Sequence, residues 1–159
     1  MSAPLYVAVV GAGEPDAGAA AMAEEVGALV AGRGAVLVCG GLGGVMEAAC
    51  RGAKAHGGTT VGILPTVARD AANPFVDIAI PTGMGEARNA LVVRAADVVI
   101  AVAGEFGTLS EIAFALRVGT PVVGLATWEL AKGGRPVDAI VRAATPAEAV
   151  DAAFALAGV

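Results

Sequence analysis

Three glycine-rich loops, one arginine and three glutamates are the residues of this chain best placed to do chemistry. The segment Ala103-Gly104-Glu105-Phe106-Gly107-Thr108-Leu109-Ser110-Glu111 lies between the apolar run Asp97 to Val102 and a helical run through Ala113, Phe114 and Leu116. A glycine loop between a strand and a helix lets backbone N–H groups converge on an anion, where the helix dipole favours negative charge. Gly104, Glu105, Phe106, Gly107 and Thr108 are therefore candidate phosphate-binding residues. Thr108-Leu109-Ser110-Glu111 also has the spacing of a capping box, in which Glu111 folds back onto the Thr108 N–H, so Thr108 and Glu111 have a structural as well as a functional reading.

Gly11-Ala12-Gly13-Glu14-Pro15-Asp16 begins like a dinucleotide fingerprint, but Asp16 occupies the third glycine position. Cys39 and Gly40 stand where an acid would hold a ribose, which argues against a nicotinamide cofactor. Asp16 suits a helix N-cap, leaving Gly11 and Gly13 as ligand-facing candidates. In Gly40-Gly41-Leu42-Gly43-Gly44-Val45-Met46-Glu47, close approach of backbone to a ligand would explain so dense a run of glycines. It lacks the Gly-Lys-Ser/Thr of a P-loop, and its candidates are Gly41, Gly43, Gly44, Met46 and Glu47, the last also being a favourable first-turn acid. Arg88, with Asn89 beside it, falls near the start of a helix, where a cation opposes the dipole; an anionic ligand would offset it, and a solvated arginine is the plainer alternative.

The elements that must position these groups alternate between β-branched runs and alanine-rich helical stretches, the pattern of an α/β, doubly wound parallel sheet with helices on both faces. The strands expected are Leu5–Val10, Ala35–Cys39, Thr59–Leu64, a weak Val76–Ile80, Asp97–Val102 and Pro121–Leu125. The helices expected are Ala17–Ala31, Gly44–His56, Gly85–Ala95, Leu109–Val118, Pro136–Ala143 and Pro146–Ala157. Thr145-Pro146-Ala147-Glu148 opens the last as a capping box with proline at the first helical position. Arg69 to Pro74 and Trp128 to Arg135 read as exposed loops. No repeat or linker interrupts the pattern, so residues 1–159 are expected to form a single domain.

Of the residues, 57% are hydrophobic and 16% charged, which fits a buried sheet and would be unusual for a disordered chain. The apolar runs are far shorter than the roughly 20 residues of a spanning helix, so no membrane role is expected. A net charge of −5 argues against a basic nucleic-acid-binding face, though a helix N-terminus can still hold a small anion. The start of the chain lacks a signal-peptide pattern, and Cys39 and Cys50 lie in separate apolar elements, so a cytoplasmic protein with two packed thiols is expected. His56, the only histidine, precedes Gly57-Gly58 as a helix-end residue, and no metal cluster is expected.

Gly40-Gly41-Leu42-Gly43-Gly44-Val45-Met46-Glu47-Ala48, Gly62-Ile63-Leu64-Pro65, Arg88-Asn89 and Gly104-Glu105-Phe106-Gly107-Thr108-Leu109-Ser110-Glu111 follow one another in an order that resembles the Lonely Guy (LOG) superfamily of Rossmann-like proteins. Within it, the chain looks most like the branch that holds the molybdenum cofactor carrier proteins. The resemblance covers nearly the whole chain.

In the hydrolase branch it implies release of a free base from a nucleoside 5′-monophosphate, with Arg88 and Glu111 as the catalytic pair and no cofactor required. Gly104, Gly107 and Thr108 match the phosphate-binding part of the family motif. In the carrier branch it implies a phosphorylated pterin-type ligand, the molybdenum cofactor, held without turnover. A homodimer or homotetramer is implied as well. The chain departs from the hydrolase motif at Ala103 for proline, Glu105 for the second glycine and Asn89 for lysine, which adds a carboxylate near the phosphate and removes a cation. Lys54 and Lys132, the only lysines, do not lie at a strand-end site, which counts against pyridoxal-phosphate chemistry.

Overall fold

The computed structural model describes residues 2–159. Seven strands form one parallel sheet: β1 (Tyr6–Gly11), β2 (Val36–Cys39), β3 (Thr59–Leu64), β4 (Ile78–Pro81), β5 (Val98–Val102), β6 (Val122–Leu125) and, after a hairpin, β9 (Val141–Ala143). Their spatial order is β4-β3-β2-β1-β5-β6-β9. Successive strands run outward from β1 to β4, and the chain then returns to place β5 on the other side of β1. The register Val7↔Val98 to Gly11↔Val102 joins these two halves. A doubly wound sheet opens a crevice at this switch point, outside the carboxyl ends of β1 and β5.

Five helices cover the two faces: α1 (Ala17–Gly32), α2 (Val45–Ala55), α3 (Asn89–Arg94), α4 (Phe106–Val118) and α5 (Pro146–Leu156). On one face, Val7, Val9, Val98, Ile100 and Val102 pack against Val26 and Val30 of α1, Cys50 of α2 and Phe154 of α5. On the other, Ala8, Val10, Val99 and Ala101 meet Val92 and Val93 of α3 and Ile112 and Ala115 of α4. Burial from both sides explains why β5 is apolar at every position, with Val98 to Val102 fully buried. Asp16 caps α1 by accepting from the Ala19 N–H at 2.8 Å, and Thr145 caps α5 by accepting from the Glu148 N–H at 3.2 Å. Among the described residues no helix is long and apolar enough to cross a membrane.

Three expectations are corrected. Residues 136–143 do not form a helix: β7 (Leu130–Lys132) and β8 (Arg135–Val137) make an antiparallel hairpin, so Trp128 to Arg135 is not merely a loop, and β9 follows as the edge strand beside β6. The turn is Gly133-Gly134, both at positive φ (58° and 77°), the conformation that two-residue hairpin loops require. Gly85–Ala95 is not one helix but a 3₁₀ turn over Gly85–Arg88 followed by the six-residue α3. Finally, α4 begins at Phe106 rather than Leu109, with Glu105 as N-cap and no side-chain cap. Thr108 and Glu111 therefore lie inside the helix and do not form a capping box.

Candidate functional site

The strand ends and the loops after them enclose a cleft of about 280 Å³ at the switch point. Gly11 and Gly13 reach it from the end of β1, and Leu42 from the loop after β2. Pro65 comes from the end of β3, and Glu86, Arg88 and Asn89 from the 3₁₀ turn and the start of α3. Glu105, Gly107, Thr108 and Glu111 come from the first turns of α4.

The first turn of α4 is a free donor array. Its first backbone hydrogen bond is Leu109 N–H to the Glu105 carbonyl at 3.0 Å, and with no side-chain cap the N–H groups of Phe106, Gly107 and Thr108 are left for a ligand. The loop before the helix is held from behind. Thr127 Oγ1 donates to the Ala103 carbonyl at 2.5 Å, and Trp128 Nε1 donates to the Glu105 carbonyl at 3.1 Å. At Gly104, φ is +104° and a Cβ would sit 2.4 Å from Thr108 Oγ1. Glycine is what lets the chain turn into the helix over the buried Thr108.

Arg88 is 8% exposed. Its Nη2 donates to the Gly40 carbonyl at 3.4 Å and its Nη1 to Asn89 Oδ1. Nε is fully buried and has no partner. Burial pushes the guanidinium below its ordinary value, against the pull of Glu111, Cys39 and Glu86. A buried cation with an orphaned donor is costly, and an anion in the cleft would offset that cost. Asn89 is fixed in turn by Nδ2 donating to Ser110 Oγ at 3.4 Å.

Glu111, also 8% exposed, lines the same cleft one turn further along α4. Burial raises its carboxyl from 4.5 to about 7, and the attraction of Arg88 only partly opposes this. The hydrogen bonds of Arg88 go to Gly40 and Asn89 rather than to Glu111, so Glu111 remains available as a reacting group. At neutral pH both its protonated and its ionised form are populated.

The structure thus brings Gly11, Gly13, Arg88, Asn89, Glu105, Gly107, Thr108 and Glu111 together. It does not bring Gly41, Gly43, Gly44, Met46, Glu47, Gly104 or the side chain of Phe106 to the cleft wall. Gly40, Gly41 and Gly44 of the second loop have a packing cause, whereas nothing lies within 4 Å of a Cβ at Gly43. A Cβ at Gly44 would meet the carbonyl oxygens of Ala12 and Gly13 at 2.4 Å, and one at Gly40 would meet Arg88 Nη2 at 2.6 Å. Met46 supports the site from outside, its sulfur lying 2.8 Å from where that Gly40 Cβ would stand. Phe106 points outward, 75% exposed, against Trp128.

Leu42, Pro65 and Glu86 line the cleft without having been singled out. The signals were slight: Leu42 lies inside the glycine loop, Pro65 ends the Gly62–Pro65 segment, and Glu86 precedes Arg88 by two residues. Cys39 and Cys50 are free, buried thiols beneath the second loop, 3.5 Å apart at sulfur, and Cys39 Sγ accepts from the Gly41 N–H at 3.3 Å. No three His, Cys, Asp or Glu side chains among the described residues converge to hold a metal ion.

The chain is 46% identical over 147 residues to an uncharacterized protein of Archaeoglobus fulgidus, covering 92% of this chain and 93% of that one. It is 41% identical over 95 residues to the cytokinin riboside 5′-monophosphate phosphoribohydrolase of Mycobacterium tuberculosis, covering 57% of this chain and half of the relative. In structure it is similar to the molybdenum cofactor binding protein of Rippkaea orientalis, with a TM-score of 0.88 and 34% identity over 98% of this chain and 99% of that one. The model of the SLOG cluster4 family matches residues 4–150, and the chain belongs to that family.

Proposed function

We propose that the protein binds a phosphorylated, nucleotide-like molecule in the switch-point cleft and hydrolyses its N-glycosidic bond. The observation that carries this is the placement of the buried, incompletely bonded Arg88 and the buried Glu111 around the uncapped first turn of α4. The phosphate accepts from the N–H groups of Phe106, Gly107 and Thr108 and is neutralised by Arg88. Anchored there, the ribose is held against Glu111, and the entropy of bringing the two together is lost on binding rather than in the reaction. As the bond from C1′ to the base breaks, positive charge spreads over the sugar ring, and the ionised Glu111 stabilises it or bonds to C1′. Water adds at C1′, the base leaves with the electron pair and a proton, and the products are free base and ribose 5-phosphate.

A second reading is favoured by the full-length similarity to a molybdenum cofactor binding protein. In it the same cradle holds a phosphorylated pterin as cargo, without turnover. Glu105 fits that reading, since it stands on the rim where the hydrolase motif has glycine. Incubation with adenosine, guanosine and cytidine 5′-monophosphates, followed by chromatography, separates the two. Free base from the wild type and none from Glu111→Gln supports hydrolysis. Binding measured by calorimetry without any base release overturns hydrolysis in favour of carriage, and no binding of any phosphorylated ligand overturns both.

A further inference from the structure

A second groove lies on the other side of the loop that closes the phosphate cleft. It encloses about 400 Å³ and is lined by Ala103, Gly104, Glu105, Ala126, Thr127 and Trp128. Glu105 lines both spaces, so the two share a wall one residue thick. A molecule whose phosphate sits on the first turn of α4 therefore has a second surface within reach just across Glu105.

Trp128 of that surface is aromatic and Phe106 packs on it, although such rings are scarce here: one tryptophan, one tyrosine and four phenylalanines in 159 residues. Phe106 is 75% exposed, and its ring centroid lies 5.5 Å from that of Trp128 at an interplanar angle of 37°. Its own N–H is in the uncapped first turn of α4, and its ring packs on Trp128, which lines the groove. Trp128 is locked by its Nε1 bond to the Glu105 carbonyl, and Thr127 Oγ1 holds the Ala103 carbonyl. Ala103 and Ala126, at the ends of β5 and β6, are the described non-glycine residues with positive φ, at +50° and +48°. Both line this groove. Such strain persists only where the surroundings enforce it, and it gathers at ligand-holding positions.

We propose that the Phe106–Trp128 pair is the platform on which the ring of the ligand stacks, and that the ring is a planar nitrogen heterocycle, a purine or a pterin. This rests on the phosphate reading of the neighbouring cleft. Aromatic faces bind such rings through offset stacking with little demand for hydrogen bonding, which suits a groove where Thr127 and Trp128 already donate to the loop.

Trp128 is the only tryptophan, so its emission reports the platform directly. Wild type and Phe106→Ala are titrated with adenosine 5′-monophosphate, ribose 5-phosphate, adenosine and pterin, with calorimetry alongside; the phosphate-free probes distinguish purine from pterin. Phe106 is exposed, and an unchanged urea midpoint checks that the variant folds. Adenosine 5′-monophosphate should quench Trp128 in the wild type, whereas ribose 5-phosphate binds without quenching. Phe106→Ala should weaken the nucleotide about tenfold and ribose 5-phosphate less than about twofold, and Phe106→Tyr should restore the difference. Nucleotide binding with unaltered Trp128 emission, or equal weakening of both ligands, overturns the platform. So does an altered mass in light scattering for Phe106→Ala with unchanged nucleotide affinity, which would make the pair an interface between copies. If neither phosphorylated ligand binds the wild type, the proposed function fails. The platform is then decided by whether adenosine or pterin quenches Trp128 in the wild type but not in Phe106→Ala.

Discussion

Glu111→Gln should make the protein more stable at alkaline pH and leave it unchanged near pH 4.5. Glu111 is 8% exposed, and burial raises its carboxyl from 4.5 to about 7 in spite of Arg88. A difference of that size between folded and unfolded chains corresponds to about 3 kcal/mol. The folded protein holds this proton more tightly than the unfolded chain does. Below 4.5 both states are protonated and the group costs nothing; stability is lost as pH rises from there to about 7, and the loss is complete above it. Glutamine keeps the shape and never ionises. The variant should therefore gain up to about 3 kcal/mol over wild type at pH 8.5, roughly 1 to 2 M in urea midpoint for a domain of this size. Urea titrations of both proteins at pH 5, 7 and 8.5, followed by far-ultraviolet circular dichroism, measure this, and titrations common to both chains cancel in the difference. A variant less stable than wild type at pH 8.5, or a difference independent of pH, would show that attraction to Arg88 outweighs desolvation and refute the account of the site.

The same carboxyl predicts opposite pH trends in turnover and binding. If the ionised form stabilises the sugar cation, base release at saturating nucleotide should rise about tenfold per pH unit up to about 7 and then level off, while affinity for ribose 5-phosphate falls over the same range as a second negative charge forms beside Arg88; a rate falling with pH would assign Glu111 as the acid instead. Gly44→Ala should cost at least about 2 kcal/mol in urea midpoint, because φ there is +69° and the added Cβ meets the Ala12 and Gly13 carbonyls at 2.4 Å. Asp16→Ala should cost about 1 kcal/mol by removing the 2.8 Å cap on Ala19 N–H, with no effect on ligand affinity by calorimetry.

The sheet was legible because doubly covered parallel strands are continuous apolar runs: Thr59–Leu64 is a strand over the expected residues, and β1, β2, β5 and β6 differ from expectation only at their ends. Residues 136–143 were misread because alanine, valine and isoleucine at an edge look helical, and Pro136 looks like a first helical residue. In fact Pro136 lies in the exposed β8, where no ladder N–H is demanded of it, and the pair Gly133-Gly134 was the hairpin signal in plain view. The capping-box reading of Thr108 and Glu111 failed because spacing alone does not fix where a helix starts. Gly107 looks like loop, yet α4 begins one residue before it, which moves Glu111 from the helix end to the cleft wall. Likewise glycines facing a ligand and glycines facing a carbonyl leave the same mark in a sequence, and only the close approach of Gly44 to Ala12 and Gly13 distinguishes them.

In the proposed reading, a chain of net charge −5 holds an anion without a basic face. Surface lysines would be screened and mobile; here the positive potential comes from the fixed amides of the α4 first turn and from one arginine withdrawn from water. Withdrawal has two consequences. It leaves Arg88 Nε without a partner, and it makes the nearby Glu111 expensive to ionise. Both raise the free energy of the folded protein at neutral pH. The two residues that the fold tolerates least comfortably, Arg88 and Glu111, are those the proposed reaction needs most.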